Sequence, residues 1–125
     1  MSKVIYTENA PAAIGPYSQA IVSGGLVYTS GQIPINPASG AVEAEGIAAQ
    51  TEQSCKNVAA VLEAAGTSTE NVIKTTCFLK NMADFAEFNA VYSEYFTGKP
   101  ARSCVAVKEL PKDVLVEIEA IAEIK

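Results

Sequence analysis

Arg102 is the residue with the most distinctive chemistry, because it is the only arginine among 125 residues. Its guanidinium carries a planar fork of donors suited to bidentate binding of a carboxylate. Two carboxylates, Glu117 and Glu119, follow on a later segment rich in β-branched residues. This set could bind a small organic acid and supply a base, or it could form an ion pair across strands. Composition and periodicity alone favour the ion pair.

Two strands, joined by a turn at 110–113, are predicted to carry these residues. In the second strand every other residue from Val116 to Ile124 is apolar. One face of that strand should therefore lie on the core. Glu117 and Glu119 should project from the opposite face.

In the first of these strands, too, alternate side chains are predicted to lie on opposite faces. We assign Val105 and Val107 to the core, which leaves Arg102 and Cys104 pointing away from it. If both apolar faces lie on one core, the guanidinium, the thiol and both carboxylates share the other face of one sheet. That face also carries apolar side chains, so we expect something to cover it.

The composition argues against several kinds of site. Histidine is absent, which removes Ser-His and Cys-His nucleophilic pairs and most zinc or iron sites. Cys55, Cys77 and Cys104 are odd in number and not closely spaced, so we expect no disulfide framework, no metal site and a reducing compartment. A net charge of −5 has the wrong sign for a phosphate-binding surface, so nucleic acid is not expected as the main partner.

The length of the chain predicts one domain spanning 1–125. Hydrophobic residues make up 49%, which is enough for a core and an interface. No apolar run approaches the ~20 residues of a membrane-spanning helix, and the N-terminus lacks the layout of a signal peptide. We therefore expect a soluble cytoplasmic protein.

The predicted elements define an α+β fold with about six strands and two helices. Further strands are expected at 4–6, 20–23, 26–32 and 72–79, and helices at 47–65 and after a cap at Asn81. Two helices can cover one face of such a sheet. The other face is left for a neighbour, so an oligomer is expected.

Several motifs resemble those of the Rid family of reactive-intermediate deaminases. They are Pro-Ala-Arg-Ser with LPKDV, Gly15-Pro16-Tyr17-Ser18-Gln19-Ala20, Ser30-Gly31-Gln32 and Lys74-Thr75-Thr76. The resemblance extends over essentially the whole chain and matches the arginine-bearing, enzymatically active subgroup. It implies a chorismate mutase-like fold assembled as a homotrimer, with sheets inward, helices outward and a site between each pair of subunits.

The resemblance also implies roles for particular residues. Arg102 would bind the substrate carboxylate, and Glu117 would orient or activate the attacking water. Cys104 would line the pocket and contribute mainly backbone contacts. Independently of the resemblance, the absence of a histidine to activate its thiol argues against a covalent role. Tyr17 would reach the pocket across the subunit boundary.

The remaining substrate-binding candidates are Ser30, Gly31 and Asn89. A glycine in a strand is consistent with close approach of backbone to ligand. Simpler interpretations remain open at this stage, with Tyr17 as a packing aromatic and Asn89 as a residue that bonds to backbone.

The activity implied by the resemblance is hydrolytic deamination of 2-iminobutanoate and 2-iminopropanoate to 2-oxo acids and ammonia. Such imines arise from pyridoxal phosphate-dependent dehydratases. No metal or organic cofactor is implied, because imine hydrolysis already proceeds in water. Two other functions remain open, an RNA-cleaving or translation-inhibiting protein and a chaperone-like binding module, although the acidic charge argues against RNA.

Overall fold

Residues 2–125 form a mixed six-stranded sheet with two helices in the computed structural model. The strands are β1 (Lys3–Ile5), β2 (Ala20–Ser23), β3 (Leu26–Thr29), β4 (Val72–Leu79), β5 (Ala101–Ala106) and β6 (Val116–Glu123), and the helices are α1 (Gly46–Ala64) and α2 (Phe85–Tyr95). The strand order is β1-β2-β3-β6-β4-β5, and only β4 and β5 pair in parallel. The α+β prediction with two helices is confirmed.

Strand β6 lies at the centre of the sheet and carries the alternation expected of it. Val116, Ile118 and Ala122 are fully buried under α1, whereas Glu117 and Glu119 are only half-buried. The side of the sheet that the helices cover is called the helix face, and the other side the open face. The carboxylates therefore belong to the open face, as predicted.

Helix α1 ends where the sequence indicates. Gly66 has a φ of +90°, a left-handed conformation that glycine adopts without strain. The N–H of Gly66 donates to the carbonyl of Glu63, and the N–H of Thr67 donates to that of Leu62. This pair of bonds is a Schellman motif, which satisfies the last carbonyls of the helix.

The predicted turn between the last two strands exists, but the strands do not pair with each other. Strand β4 lies between β5 and β6, and it places Thr75 opposite Arg102 and Cys77 opposite Cys104. Since Thr75 and Cys77 are fully buried on the helix face, Arg102 and Cys104 lie on that face too. The prediction that they share a face with Glu117 and Glu119 is wrong.

The error comes from the assumption that the apolar side chains of β5 face the core. Strand β5 is an edge of the sheet, and Val105 is 46% exposed on the open face. An apolar side chain marks a buried face only when one core covers the strand. Here the apolar residue of β5 faces the side that no element of residues 2–125 covers.

Two other boundaries differ from expectation. Strand β3 ends at Thr29 rather than Gln32, because Ser30 and Gly31 leave the ladder before Gln32 rejoins β6 at Ile118. Asn81 begins a short 3₁₀ turn without a side-chain cap, and α2 starts at Phe85. Neither helix of the described chain has the apolar length needed to cross a bilayer.

Candidate functional site

The guanidinium of Arg102 is held by side chains of α2. Its Nη1 donates to Asn89 Oδ1 at 2.7 Å. Its Cζ lies 4.9 Å from the ring centre of Tyr92, 5.4 Å from that of Phe85 and 5.9 Å from that of Phe88. Aromatic faces attract a cation at these distances, so one amide and three rings fix the position of the guanidinium.

The helical repeat explains why these groups converge. Phe85, Phe88, Asn89 and Tyr92 are spaced three or four residues apart, so their side chains share one face of α2. The hydroxyl of Tyr92 forms a 2.6 Å hydrogen bond with Thr75 Oγ1 on the neighbouring strand β4. Both residues are buried, and this bond fixes the ring that lies closest to Arg102.

Arg102 has no carboxylate partner within the described chain. The ion pairs found among residues 2–125 are Lys80 with Asp113 and Lys125 with Glu123. The ion pair from Arg102 to Glu117 or Glu119 is therefore excluded within one chain. A guanidinium that is half-buried, oriented and unpaired retains N–H donors for an anion.

A groove of about 370 Å³ lies beside this guanidinium, between α2 and the start of β5. Its walls are formed by Asn89, Tyr92, Ser93, Phe96, Lys99, Pro100 and Arg102. The lining combines an aromatic wall with two cationic side chains. Such a groove suits a small organic anion.

Cys104 lies two residues beyond Arg102 on the same face of β5. Burial raises the pKa of its thiol, and the nearby guanidinium opposes that shift only in part. A raised pKa leaves the thiol protonated at neutral pH, so Cys104 lacks the thiolate character of a nucleophile. Its predicted contribution through backbone groups stays a prediction.

Glu117 forms a second group of residues with Ser30 and Gly31 on the open side of the sheet. A Cβ added to Gly31 would come within 2.8 Å of Glu117 Cδ and would overlap a carboxylate oxygen. Only glycine leaves room for this carboxylate. Burial, and then the charge of Glu119, raise the pKa of Glu117 above its ordinary value, so this carboxylate accepts a proton more readily than a free glutamate does.

Tyr17 is linked to this second group through its neighbour in sequence. The hydroxyl of Ser30 donates to the carbonyl of Ser18 at 2.6 Å. The Ser30 side chain therefore holds the Tyr17 loop in addition to any contact with a ligand. Tyr17 itself is 51% exposed, and its contact with a neighbouring subunit stays a prediction.

The seven candidate residues thus form two separate groups, with Arg102 on the helix face of the sheet and Glu117 on the open face. Arg102, Asn89 and Cys104 form the first, and Tyr17, Ser30, Gly31 and Glu117 form the second. No three His, Cys, Asp or Glu side chains within residues 2–125 are arranged as metal ligands.

Tyr92 and Thr75 were missed as contributors to the first group. Aromatic residues at helical spacing ordinarily indicate a core-facing stripe, and Phe88 and Tyr92 of α2 are indeed buried. A signal was nevertheless present, because Asn89 lies four residues after Phe85 and three before Tyr92. Because Asn89 was a candidate substrate-binding residue, its position on that stripe indicates that the neighbouring rings also face the substrate-binding group, which is Arg102.

This fold and this groove define a small α+β protein with an unpaired arginine held among aromatic rings beside an open groove. The sequence profile of the Endoribonuclease L-PSP family matches residues 7–124. The chain therefore belongs to that family, and its relatives place it among the Rid proteins.

Three similar proteins illustrate the relationship. The chain is 57% identical over 126 residues to the 2-iminobutanoate/2-iminopropanoate deaminase of Salmonella typhimurium, covering 98% of each chain. A Rid family protein of Yersinia pestis is 51% identical, with a TM-score of 0.95 and coverage of 98% and 99%. Escherichia coli TdcF, solved with bound serine, is 47% identical, with a TM-score of 0.92 and coverage of 97% and 98%.

Removal of the Tyr92 hydroxyl is expected to destabilise the fold. The Tyr92→Phe variant leaves Thr75 Oγ1 buried without this partner, which should lower the free energy of unfolding by about 1–3 kcal/mol. In the double variant Thr75→Val/Tyr92→Phe both polar groups are gone, so most of that loss should be recovered. Urea denaturation of the four proteins measures this coupling, and equal, additive losses would contradict it.

Proposed function

We propose that this protein hydrolyses short 2-imino acids, such as 2-iminobutanoate and 2-iminopropanoate, to 2-oxo acids and ammonia. The observation that carries the proposal is the unpaired Arg102 guanidinium, oriented by Asn89 and by aromatic rings beside an open groove. A relative that is 57% identical over nearly its full length bears the name of this activity. The three cysteines are free thiols, in keeping with a cytoplasmic enzyme.

In the proposed reaction Arg102 binds the substrate carboxylate with two parallel N–H donors, which fixes the position of the imine carbon C2. Backbone groups near Cys104 and the carboxylate of Glu117 orient a water molecule toward C2. Glu117 takes a proton from this water as its oxygen bonds to C2, the electron pair of the C=N bond moves to nitrogen, and the protonated Glu117 then delivers the same proton to that nitrogen. In the tetrahedral adduct Glu117 accepts the hydroxyl proton and passes it to the amino nitrogen, so that the C–N bond breaks with release of ammonia and the C=O bond of the 2-oxo acid forms.

The mechanism requires two copies of the chain for each site. Arg102 lies on the helix face and Glu117 on the open face of the same sheet. We propose a homotrimer with open faces inward, in which one subunit supplies Arg102, Asn89 and Cys104 and the next supplies Tyr17, Ser30, Gly31 and Glu117. The exposure of Val105 and Tyr28 on the open face supports burial of that face by other subunits.

Subunit complementation tests this arrangement. Arg102→Ala and Glu117→Gln chains are each expected to be nearly inactive, but co-assembled trimers contain some clefts with both native residues. Random mixing at equal amounts pairs a native Arg102 with a native Glu117 in about a quarter of the clefts, because each cleft draws two chains independently. Activity near a quarter of the wild-type value supports shared sites, and no recovery in mixed trimers overturns them.

The activity itself is tested by generating the imine enzymatically within the assay mixture. A pyridoxal phosphate-dependent dehydratase acting on threonine or serine supplies the substrate, and the rate of 2-oxo acid release is compared with and without this protein. Acceleration supports the proposal. The absence of any acceleration for both substrates overturns it.

RNA cleavage is the competing function, because the family description names an endoribonuclease. The net charge of −5 repels a polyanion, and the groove presents only two cations. Repurified protein should therefore hydrolyse imines and leave RNA intact. RNA cleavage that survives repurification and persists without imine hydrolysis would favour the competing function.

Addition of a methyl group at Gly31 tests the position of the carboxylate. In Gly31→Ala the new Cβ must displace the Glu117 side chain, and a displacement of about 1 Å can lower kcat about a hundredfold. The control is Gly31→Ala in the Glu117→Gln background, where little further loss is expected. A full additional loss in that background would show that Gly31 acts independently of Glu117.

A further inference from the structure

The loop that carries Tyr17 has little structure of its own. Residues 12–17 are all exposed and lie outside any helix or strand. Within this stretch one backbone bond is formed, from the Tyr17 N–H to the Gly15 carbonyl at 2.8 Å. A side chain at the end of such a loop takes a defined position only if the base of the loop is fixed, because each free residue carries conformational entropy. We call residues 7–18 the arm.

The side chain of Gln19 fixes the start of the arm. Its Oε1 accepts from the Thr7 N–H at 2.7 Å, and its Nε2 faces the carbonyls of Thr7 at 3.0 Å, Pro11 at 2.9 Å and Ala10 at 3.3 Å. Gln19 is only 3% exposed. One planar amide thus joins four backbone groups that would otherwise need water or other partners.

Gln19 is also joined to the end of the arm. Its own carbonyl accepts from the Ser30 N–H at 2.9 Å, and the Ser30 hydroxyl donates to the carbonyl of Ser18. Ser30 in turn precedes Gly31, over which the Glu117 carboxylate lies. Both ends of the arm therefore meet at Gln19, next to the group of residues that contains Glu117.

We propose that Gln19 is a positioning residue that fixes Tyr17 relative to Glu117 by closing the arm into a loop. The proposal rests on the proposed function, since it concerns the placement of Tyr17 at the substrate cleft. Glutamine suits the task because its amide offers an acceptor and two donors at the end of a side chain long enough to reach the arm. Glutamate would lose the donors, and methionine would lose both kinds of group.

A purely structural role for Gln19 makes a different prediction. If Gln19 only stabilised the fold, its replacement would act on the enzyme independently of Tyr17, and the two effects would multiply. If it acts through Tyr17, its replacement should matter little once the Tyr17 side chain is gone. A double-mutant cycle separates the two roles, because the effects of residues that act independently multiply, whereas those of residues that act through one another do not.

The kinetic test uses the full-length wild type, Gln19→Met, Tyr17→Leu and the double variant, assayed with imine generated by the dehydratase. We expect Gln19→Met to raise KM about tenfold, equivalent to about 1.4 kcal/mol, with a smaller change in kcat. The double variant should show the KM of Tyr17→Leu alone. Multiplied KM effects in the double variant would overturn the positioning role.

Hydrogen exchange of backbone amides gives a readout that needs no activity. In Gln19→Met the hydrogen-bonded amides of the arm, those of Thr7 and Tyr17, should exchange at least tenfold faster, whereas those of β6 should keep their protection. Unchanged exchange in the arm would overturn the positioning role of Gln19. The exchange measurement decides this even if the wild type does not hydrolyse imines. A lack of imine hydrolysis would overturn only the proposed function. If Gln19→Met does not fold, Gln19→Glu replaces it, since it keeps the acceptor for Thr7 but loses the donors.

Discussion

The Arg102→Ala variant is expected to hydrolyse imino acids with a kcat/KM about a thousandfold below that of the wild type. This factor corresponds to a loss of about 4 kcal/mol of transition-state stabilisation, which is within the range measured when one partner of a desolvated charge pair is removed. The guanidinium is the only group in the α2–β5 groove with a fork that matches a carboxylate, and Asn89 already orients it. In the proposed mechanism its loss removes both the binding of the substrate carboxylate and the placement of C2. The measurement is the rate of 2-oxo acid release over a range of dehydratase-generated imine concentrations.

The Arg102→Lys variant separates charge from geometry. Lysine keeps the positive charge but offers no planar fork, and an ammonium cannot stack on the neighbouring aromatic rings as a planar guanidinium can. We therefore expect it to recover only a small part of the lost activity. Lys108→Ala is the matched control, because it removes one positive charge from an exposed position just beyond β5. Near-wild-type activity in Arg102→Lys would show that a point charge suffices and would contradict bidentate binding of the substrate carboxylate.

The Glu117→Gln variant is expected to lower kcat about a hundredfold to a thousandfold, within the range for loss of a positioned acid or base. The amide has nearly the same shape as the carboxylate, so the fold and substrate binding should persist, and KM should change little. Glu119→Gln is the matched control, since Glu119 lies two residues away on the same face of β6. Equal losses in the two variants would contradict a specific role for Glu117.

The pH dependence of kcat follows from the environment of Glu117. Burial and the charge of Glu119 raise its pKa, and a base works only when ionised. Activity should therefore fall as the pH is lowered through this raised pKa. In Glu119→Gln one cause of the shift is gone, so the acidic limb of the profile should move to lower pH. An unmoved limb would show that Glu119 does not act on the ionisation that controls the reaction.

The raised pKa of Glu117 also predicts an effect on the stability of the fold, and this effect has the opposite pH dependence to the effect on activity. A carboxyl group whose pKa is raised on folding stabilises the fold fully below its unfolded pKa, and that contribution is lost as the pH rises through the folded pKa. At neutral pH Glu117→Gln should therefore have a higher Tm than the wild type, and the difference should vanish in acid. A lower Tm at neutral pH would mean that Glu117 makes a stabilising contact in the assembled protein.

Different parts of the candidate site were predictable to different degrees. The alternation of β6 placed Glu117 on the open face, because a central strand under one layer of helices has one apolar side and one mixed side. Arg102 was placed on the wrong face, because β5 is an edge strand and its apolar Val105 faces away from the helices. Periodicity assigns a face only where a single core covers the strand.

The sequence by itself determined the α+β class, the helix α1 with its glycine cap, the strand β4 and the residue types of the site, since these depend on local patterning and on side-chain chemistry. The motifs also pointed to the family to which the chain belongs. Only the tertiary structure decided which residues meet. The parallel pairing of β5 with β4 brought Arg102 to Asn89 and Tyr92, and the Gln19 amide gathered the arm beside Ser30. These contacts join segments far apart in the chain, and strand pairing depends on the packing of the whole sheet and not on any one segment.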